Sequence, residues 1–305
     1  MTIVAERLRF VTAPDGRDVA FAVWGDPAGF PVMRLHGTPG CRLMRWPDET
    51  VYGRLGVCFV THDRAGYGRS SRLRGRRVVD DVDDVRLIAD ELGFERFGVS
   101  GGSGGGPHAL ACAARLPERV IRATCVVGSA PYGPPGLDED AWFDGMDPAN
   151  VRDFRLTFEG EEAVNANHER LQAEYEARAE ADDTANVLEE YDLSESDRER
   201  LARPETVQIL NETIREHAVN GVHGWTDDLL ALTGPWGFDV SEITVPVLIR
   251  YGASDVLVPR IHGDWLAAHV PNCVAKVDDA GHLGRDPVAE IAEDVRWLRD
   301  GVPPA

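Results

Sequence analysis

Lysine is almost missing from this chain: of its 32 basic residues only Lys276 is a lysine. The arginine excess reads as coding bias, and Schiff-base chemistry is disfavoured because the one amine lies in an expected edge-region strand. No apolar run approaches the roughly 18 residues that a membrane span requires. The start, Met1 to Arg7, has neither a basic n-region nor an apolar h-region, so no secretory signal is read and the cytoplasm is the expected location. Five cysteines (Cys41, Cys58, Cys112, Cys125 and Cys273) are scattered and never form C-x-x-C. Reduced, structural thiols are expected, with no metal site. Excess positive charge is also lacking. At a net charge of −20 nucleic acid and anionic membranes are excluded as partners.

The acid is unevenly spread. Residues 131–240 hold 27 Asp and Glu against 8 Arg, which is −19 of the total. Two explanations stand at this point: a solvated, repulsive surface, or a field directed at substrate.

With 305 residues, 43% hydrophobic and 28% charged, the chain suits one large folded unit with an insertion. Leu8–Val11 and Val19–Trp24 flank Asp15-Gly16, a β-hairpin pattern. Short apolar runs follow at Val32–Leu35, Val57–Val60, Phe97–Val99, Ile121–Val127, Val245–Tyr251 and Val274–Val277. Their length and Val/Ile content suit buried strands of a mostly parallel sheet. Val82–Leu92, Pro107–Leu116 and Val288–Leu298 have helical spacing. Alternation of this kind predicts an α/β fold, a sheet covered on both faces. It stops near residue 131 and resumes after Gly237. The expected organisation is therefore a core of 1–130 and 241–305 with an acidic helical cap at 131–240. Within the cap, Ser194-Glu195-Ser196-Asp197 reads as a helix start.

Gly101-Gly102-Ser103-Gly104-Gly105 matches G-x-S-x-G, with a strand before it and a helix after it. That context suits a serine exposed on a sharp turn as a nucleophile. A phosphate loop would need Lys-Ser/Thr where Pro107-His108 stands, and Pro107 interrupts the weak dinucleotide match at Gly104-x-Gly106-x-x-Ala109. A serine needs a general base. Among nine histidines, His282 is best placed, in Asp279-Ala280-Gly281-His282-Leu283-Gly284 after the last strand. His262 and His269 fall on a helix-like stretch, and His36 shapes a loop. Asp255, after Val245–Tyr251, is the carboxylate expected to orient His282. An oxyanion would be held by the amides of Gly104 and of Thr38, in His36-Gly37-Thr38-Pro39-Gly40.

These motifs, with Asp63-Arg64-Ala65-Gly66-Tyr67-Gly68-Arg69-Ser70, Gly252-x-x-Asp255 and Gly281-His282, resemble the α/β-hydrolase superfamily across residues 8–130 and 240–300. The resemblance implies an eight-stranded sheet with a helical lid between strands six and seven, and a structural role for Asp63–Ser70. It implies a cofactor-independent serine hydrolase acting on a small ester, lactone or related acyl compound. His36-Gly37-x-Pro39-Gly40 with Gly101-Gly102-Ser103-x-Gly105-Gly106 is also similar to the proline iminopeptidase branch. There, lid acids grip a substrate ammonium; Glu212, Glu216, Asp227 or Asp228 would serve. That branch usually has a bulky residue after the serine, where this chain has Gly104. Other triad chemistries of the superfamily stay open, as does a hydrolase-fold protein that only binds its ligand. Aspartate-nucleophile members are disfavoured because residue 103 is serine. Gly104 is expected to leave open space beside Ser103. Trp142, Phe143, Met146, Phe158, Trp225 and Trp236 are the aromatic and apolar candidates for an acyl pocket, with packing as the competing role.

Overall fold

The computed structural model describes residues 7–181 and 183–304. Eight strands form one sheet: β1 (Arg9–Thr12), β2 (Asp18–Gly25), β3 (Phe30–Leu35), β4 (Val57–His62), β5 (Phe97–Gly102), β6 (Val120–Val126), β7 (Val247–Gly252) and β8 (Cys273–Asp278). Their order is β1-β2-β4-β3-β5-β6-β7-β8. The first two strands are the expected hairpin, paired from Arg9 opposite Phe21 to Thr12 opposite Asp18. Only β2 runs against its neighbours; from β4 to β8 every pairing is parallel.

Strands β4, β5 and β7 are buried along their whole length, which is why they read as continuous apolar runs rather than alternating ones. Helices α1 (Thr50–Leu55), α2 (Asp81–Glu91), α3 (Gly105–Arg115), α10 (Arg260–His269) and α11 (Pro287–Asp300) cover the two faces. One apolar cluster joins Ile88 of α2, Leu110 of α3 and Leu266 of α10 to Met33 and Val99. The other joins Val51 of α1 and Leu298 of α11 to Val32 and Leu248. Each face of the sheet therefore has its own core. All five cysteines are free, and four are buried.

Between β6 and β7 the chain is helical: α4 (Glu139–Trp142), α5 (Pro148–Leu156), α6 (Glu161–Glu180), α7 (Glu195–Leu201), α8 (Pro204–His217) and α9 (His223–Thr233). The side chains of Asp138, Asp147 and Ser194 accept main-chain N–H groups at three helix starts, satisfying donors that a helix leaves unpaired. Ser194 is the start expected from the sequence. Among the described residues no helix is long and apolar enough to cross a membrane.

The acid of this helical insert is explained by neither a free surface nor a field alone. Among the described residues, five of its carboxylates bind arginines of the sheet domain: Glu161 takes Arg72 and Arg74, Glu212 takes Arg45, Glu216 takes Arg42 and Arg69, and Asp227 takes Arg72. Asp228 takes Arg64 and Arg76. Insert and sheet domain meet along a seam of ion pairs.

Candidate active site

The turn at Ser103 is set by steric demand. Ser103 has φ +52°, in the left-handed region that costs a non-glycine residue on the order of 1–3 kcal/mol. Its N–H donates to Val126 O at 2.8 Å, and its carbonyl accepts from Gly106 N at 2.8 Å as α3 begins. A Cβ on Gly101 would stand 2.0 Å from Gly105 O, so strand and helix meet too closely for any side chain there.

Gly104 differs from the expectation. A Cβ there would lie 2.1 Å from Thr38 Oγ1 and 2.8 Å from Thr38 Cβ. The space beside Ser103 is filled by Thr38 rather than open; a one-residue sequence pattern does not reveal a neighbour from another loop. Thr38 is itself held, because its hydroxyl donates to Asp228 Oδ2 at 2.6 Å. Its main-chain N lies 3.3 Å from the same Cβ position. Among the described residues, neither Thr38 N–H nor Gly104 N–H donates to another protein group.

His282 follows β8 and points its Nδ1 at Asp255 Oδ2, 2.8 Å away. The other oxygen of Asp255 accepts Leu257 N–H at 2.8 Å and Val258 N–H at 2.9 Å. That anchored carboxylate fixes Nδ1 as the protonated ring nitrogen and leaves Nε2 available. Burial pulls the His282 pKa down, but the negative charges of Asp255 and Asp197 outweigh it and raise the value above 6.5. Ser103, His282, Gly104 and Thr38 line one cavity of about 440 Å³, within the ~300–1,000 Å³ usual for small-molecule sites. Ser103 Oγ makes no hydrogen bond to His282 among the described residues.

His36 has the loop-shaping position expected of it. Its Nδ1 bonds Gly37 O at 2.7 Å, and its Nε2 accepts Arg64 N–H at 3.2 Å. Burial and then Arg64 hold it well below 6.5, so the ring is neutral. Asp63 accepts from Arg42 N, Arg42 Nη1 and Arg69 N, which makes the Asp63–Ser70 segment a bracket for the site. His262 is fully buried against Trp142.

The six pocket candidates fare unevenly. Trp225 lines the cavity, whereas Trp142, Phe143, Met146, Phe158 and Trp236 do not. Trp142 instead packs against Tyr132, Phe143, Phe154 and His262. The apolar lining comes from Phe154, Tyr175, Leu229 and Leu232 of the insert. A polar side was not foreseen: Arg34 and Asp294 also line the cavity. Burial pushes Asp294 up to about 6, against the pull of Arg250 and Arg34.

None of the four acids expected to grip an ammonium is free. Glu212 and Glu216 are held by Arg45, and by Arg42 and Arg69. Asp227 is held by Arg72 at 2.8 Å. Asp228, fully buried, takes Arg64 Nε at 3.0 Å and Nη2 at 2.5 Å, Arg76 Nη2 at 2.5 Å and Tyr67 Oη at 2.9 Å, besides Thr38. The sequence marked these residues as acidic; what it did not carry was the arginines lying 147 to 174 positions away in the chain.

Two kinds of likeness bear on this arrangement. The chain is 27% identical to a proline iminopeptidase of Neisseria meningitidis serogroup A, over 89% of this chain and 90% of that protein. It is 26% identical to a non-heme haloperoxidase of Rhodococcus erythropolis, over 82% and 83%. Among solved structures, an enol-lactonase from Burkholderia xenovorans LB400 superposes with a TM-score of 0.66 at 16% identity, covering 96% of this chain and 98% of that one. A thermophilic esterase from Thermogutta terrifontis gives 0.66 at 22% identity over the same shares, 96% and 98%. At these identities the solved structures bear on fold alone. The family described as alpha/beta hydrolase fold matches residues 31–284, a stretch containing Ser103, Asp255 and His282, and this chain belongs to that family.

Proposed function

We propose that the protein is a cofactor-independent serine hydrolase of small carboxylic esters, lactones or related acyl compounds, with the 131–240 insert as its cap. Ser103 Oγ attacks the acyl carbon while His282 Nε2 takes its proton; Asp255 holds the imidazolium. The N–H groups of Thr38 and Gly104 receive the oxyanion. The bond to the leaving oxygen breaks as His282 returns the proton. Water then gives a proton to His282 and attacks the acyl-enzyme, and Ser103 recovers its hydrogen as the acid departs. The observation that carries this reading is the 2.8 Å contact of His282 with an anchored Asp255 in the cavity that Ser103 enters from a strained turn.

Ser103→Ala is expected to abolish turnover of p-nitrophenyl esters while far-UV circular dichroism stays unchanged. Retained activity would overturn the mechanism. A fluorophosphonate probe is expected to add mass at Ser103; a folded protein that ignores it favours a ligand-binding role instead.

Likeness to the Neisseria proline iminopeptidase supports a second reading as an aminopeptidase. The arginine partners of Glu212, Glu216, Asp227 and Asp228 count against it, because an ammonium would have to displace a guanidinium. Cleavage of proline β-naphthylamide without short-chain esterase activity would reverse the order.

A further inference from the structure

Given the serine-hydrolase reading, we propose that Asp197 of the cap is a positioning residue for His282, so that seating of the cap and placement of the general base are one event. Asp197 is fully buried at the start of α7. Its Oδ1 accepts Leu283 N–H at 2.7 Å, and its Oδ2 accepts His282 N–H at 3.1 Å. Next to it, Ser196 Oγ accepts Gly281 N–H at 2.9 Å. Three consecutive main-chain donors of the histidine loop thus find acceptors on one turn of the cap, some 85 residues away in sequence.

The approach is close enough to dictate the loop's composition. A Cβ on Gly281 would lie 1.9 Å from Asp197 Oδ2 and 2.2 Å from Ser194 Oγ. Ser194 Oγ completes the clamp by donating to Asp197 Oδ2 at 2.9 Å.

Asp197 differs in its partners from Asp227 and Asp228. Asp227 and Asp228 are neutralised by arginines, whereas Asp197 joins no ion pair among the described residues. A buried carboxylate without a cation must be compensated by hydrogen bonds, and here the donors belong to the loop whose imidazole becomes cationic during catalysis. The remaining charges around His282 are arranged otherwise. Asp255 bonds the ring, and Glu290 of α11 accepts Arg285 N–H and Asp286 N–H. Arg200 of α7 shares the cavity, and Arg285 of the loop faces Asp279. If the cap lifts, the loop loses all three acceptors and His282 loses a nearby negative charge together.

The test uses the full-length protein and the variants Asp197→Asn, Ser196→Ala, Ser103→Ala and, as a structural control, Asp138→Ala, which uncaps α4 by removing the acceptor of Ala141 N–H. Steady-state hydrolysis of p-nitrophenyl butyrate is measured between about pH 5 and 9. The His282 imidazole is followed by NMR, assigned by the resonance missing in His282→Gln. Asparagine keeps one acceptor oxygen and removes the charge. For Asp197→Asn, kcat is expected to fall about 10- to 100-fold with KM little changed. Neutral His282 is the base and the lost charge had favoured its protonated form. The acid limb of kcat/KM and the NMR titration therefore both move to lower pH. Ser196→Ala shifts kcat the same way by less, and it carries the test should Asp197→Asn not fold. Asp138→Ala lowers thermal stability and leaves the titration in place. A folded Asp197→Asn protein with unchanged kcat and unchanged His282 titration would overturn the proposal. If wild type and Ser103→Ala are equally inactive, the hydrolase reading alone fails. The NMR titration, which needs no turnover, then decides whether Asp197 governs His282.

Discussion

Asp228→Asn is the most severe single perturbation that the site's framework offers. The wild-type carboxylate has no exposure and sits between Arg64 and Arg76, themselves buried. Burial alone would raise its pKa, but Arg64 and then Arg76 hold the carboxyl well below the usual 3.8. A group depressed in this way contributes stability that is present above the unfolded value and lost only as pH falls through the folded one. At neutral pH the whole contribution is therefore on display. Asparagine has the same shape and still offers an oxygen to Thr38 or Tyr67. It also turns an NH2 toward donors and leaves two buried guanidiniums without the charge they shared. Removing one partner of a buried pair costs about 3–5 kcal/mol; the expected loss lies in that range. Tyr67→Phe, which removes only one hydroxyl from the same carboxylate, should cost about 1 kcal/mol. The assay is urea unfolding at pH 7 followed by tryptophan fluorescence, with an unchanged slope as the condition for comparing midpoints. Adding Arg76→Met to Asp228→Asn should recover part of the loss, since it removes an orphaned charge. A loss for Asp228→Asn below about 1 kcal/mol, with no recovery in the double variant, would refute the picture of a charge-neutralised hub.

Gly104→Ala should lower kcat by about 100- to 1,000-fold, the scale of losing one oxyanion donor, because the new methyl must push aside a Thr38 pinned by Asp228. Gly104→Ala with Thr38→Gly should restore much of it in p-nitrophenyl ester kinetics, and no recovery would show that the collision is elsewhere. Acid should destabilise the fold between pH 6.5 and about 4. Burial holds His217 and His262 at about 4, so the unfolded chain binds their protons first. Each contributes a loss of up to about 3 kcal/mol across that window. Asp294, raised to about 6, runs the other way by a similar amount over the same window and offsets part of the loss. His262→Asn should flatten the fall of Tm with decreasing pH; a steeper profile would contradict the assignment.

The sheet was legible because a strand buried on both faces must be written as an apolar run. Val57–Val60 and Val245–Tyr251 therefore named their strands before any geometry was known. The Ser103 turn was legible for a similar reason: Gly101 and Gly105 stand where two backbones nearly touch, and only one residue type fits. The insert was legible as helix and acid but not as contacts. Asp228 and a solvated aspartate look alike in sequence, and the residues distinguishing them, Arg64 and Arg76, lie on another part of the chain. Trp142 and Trp225 were equally plausible pocket residues by spacing. Which one faces the cavity depends on how the insert's helices pack. Ser194 was readable as a helix start, since capping is local, while the docking of Asp197 on the histidine loop is not.

The seam between the helical insert and the sheet domain also sets the unit that could be exchanged with a relative. Residues 131–240 lifted out alone would leave Arg42, Arg64, Arg72 and Arg76 facing a foreign insert, and the Gly281–Leu283 amides without acceptors. A chimera that moves the insert together with the segment from Arg42 to Arg76 keeps every one of those arginine partnerships. The histidine loop would have to travel as a third piece. In this protein the module boundary follows the charges, not the ends of the strands.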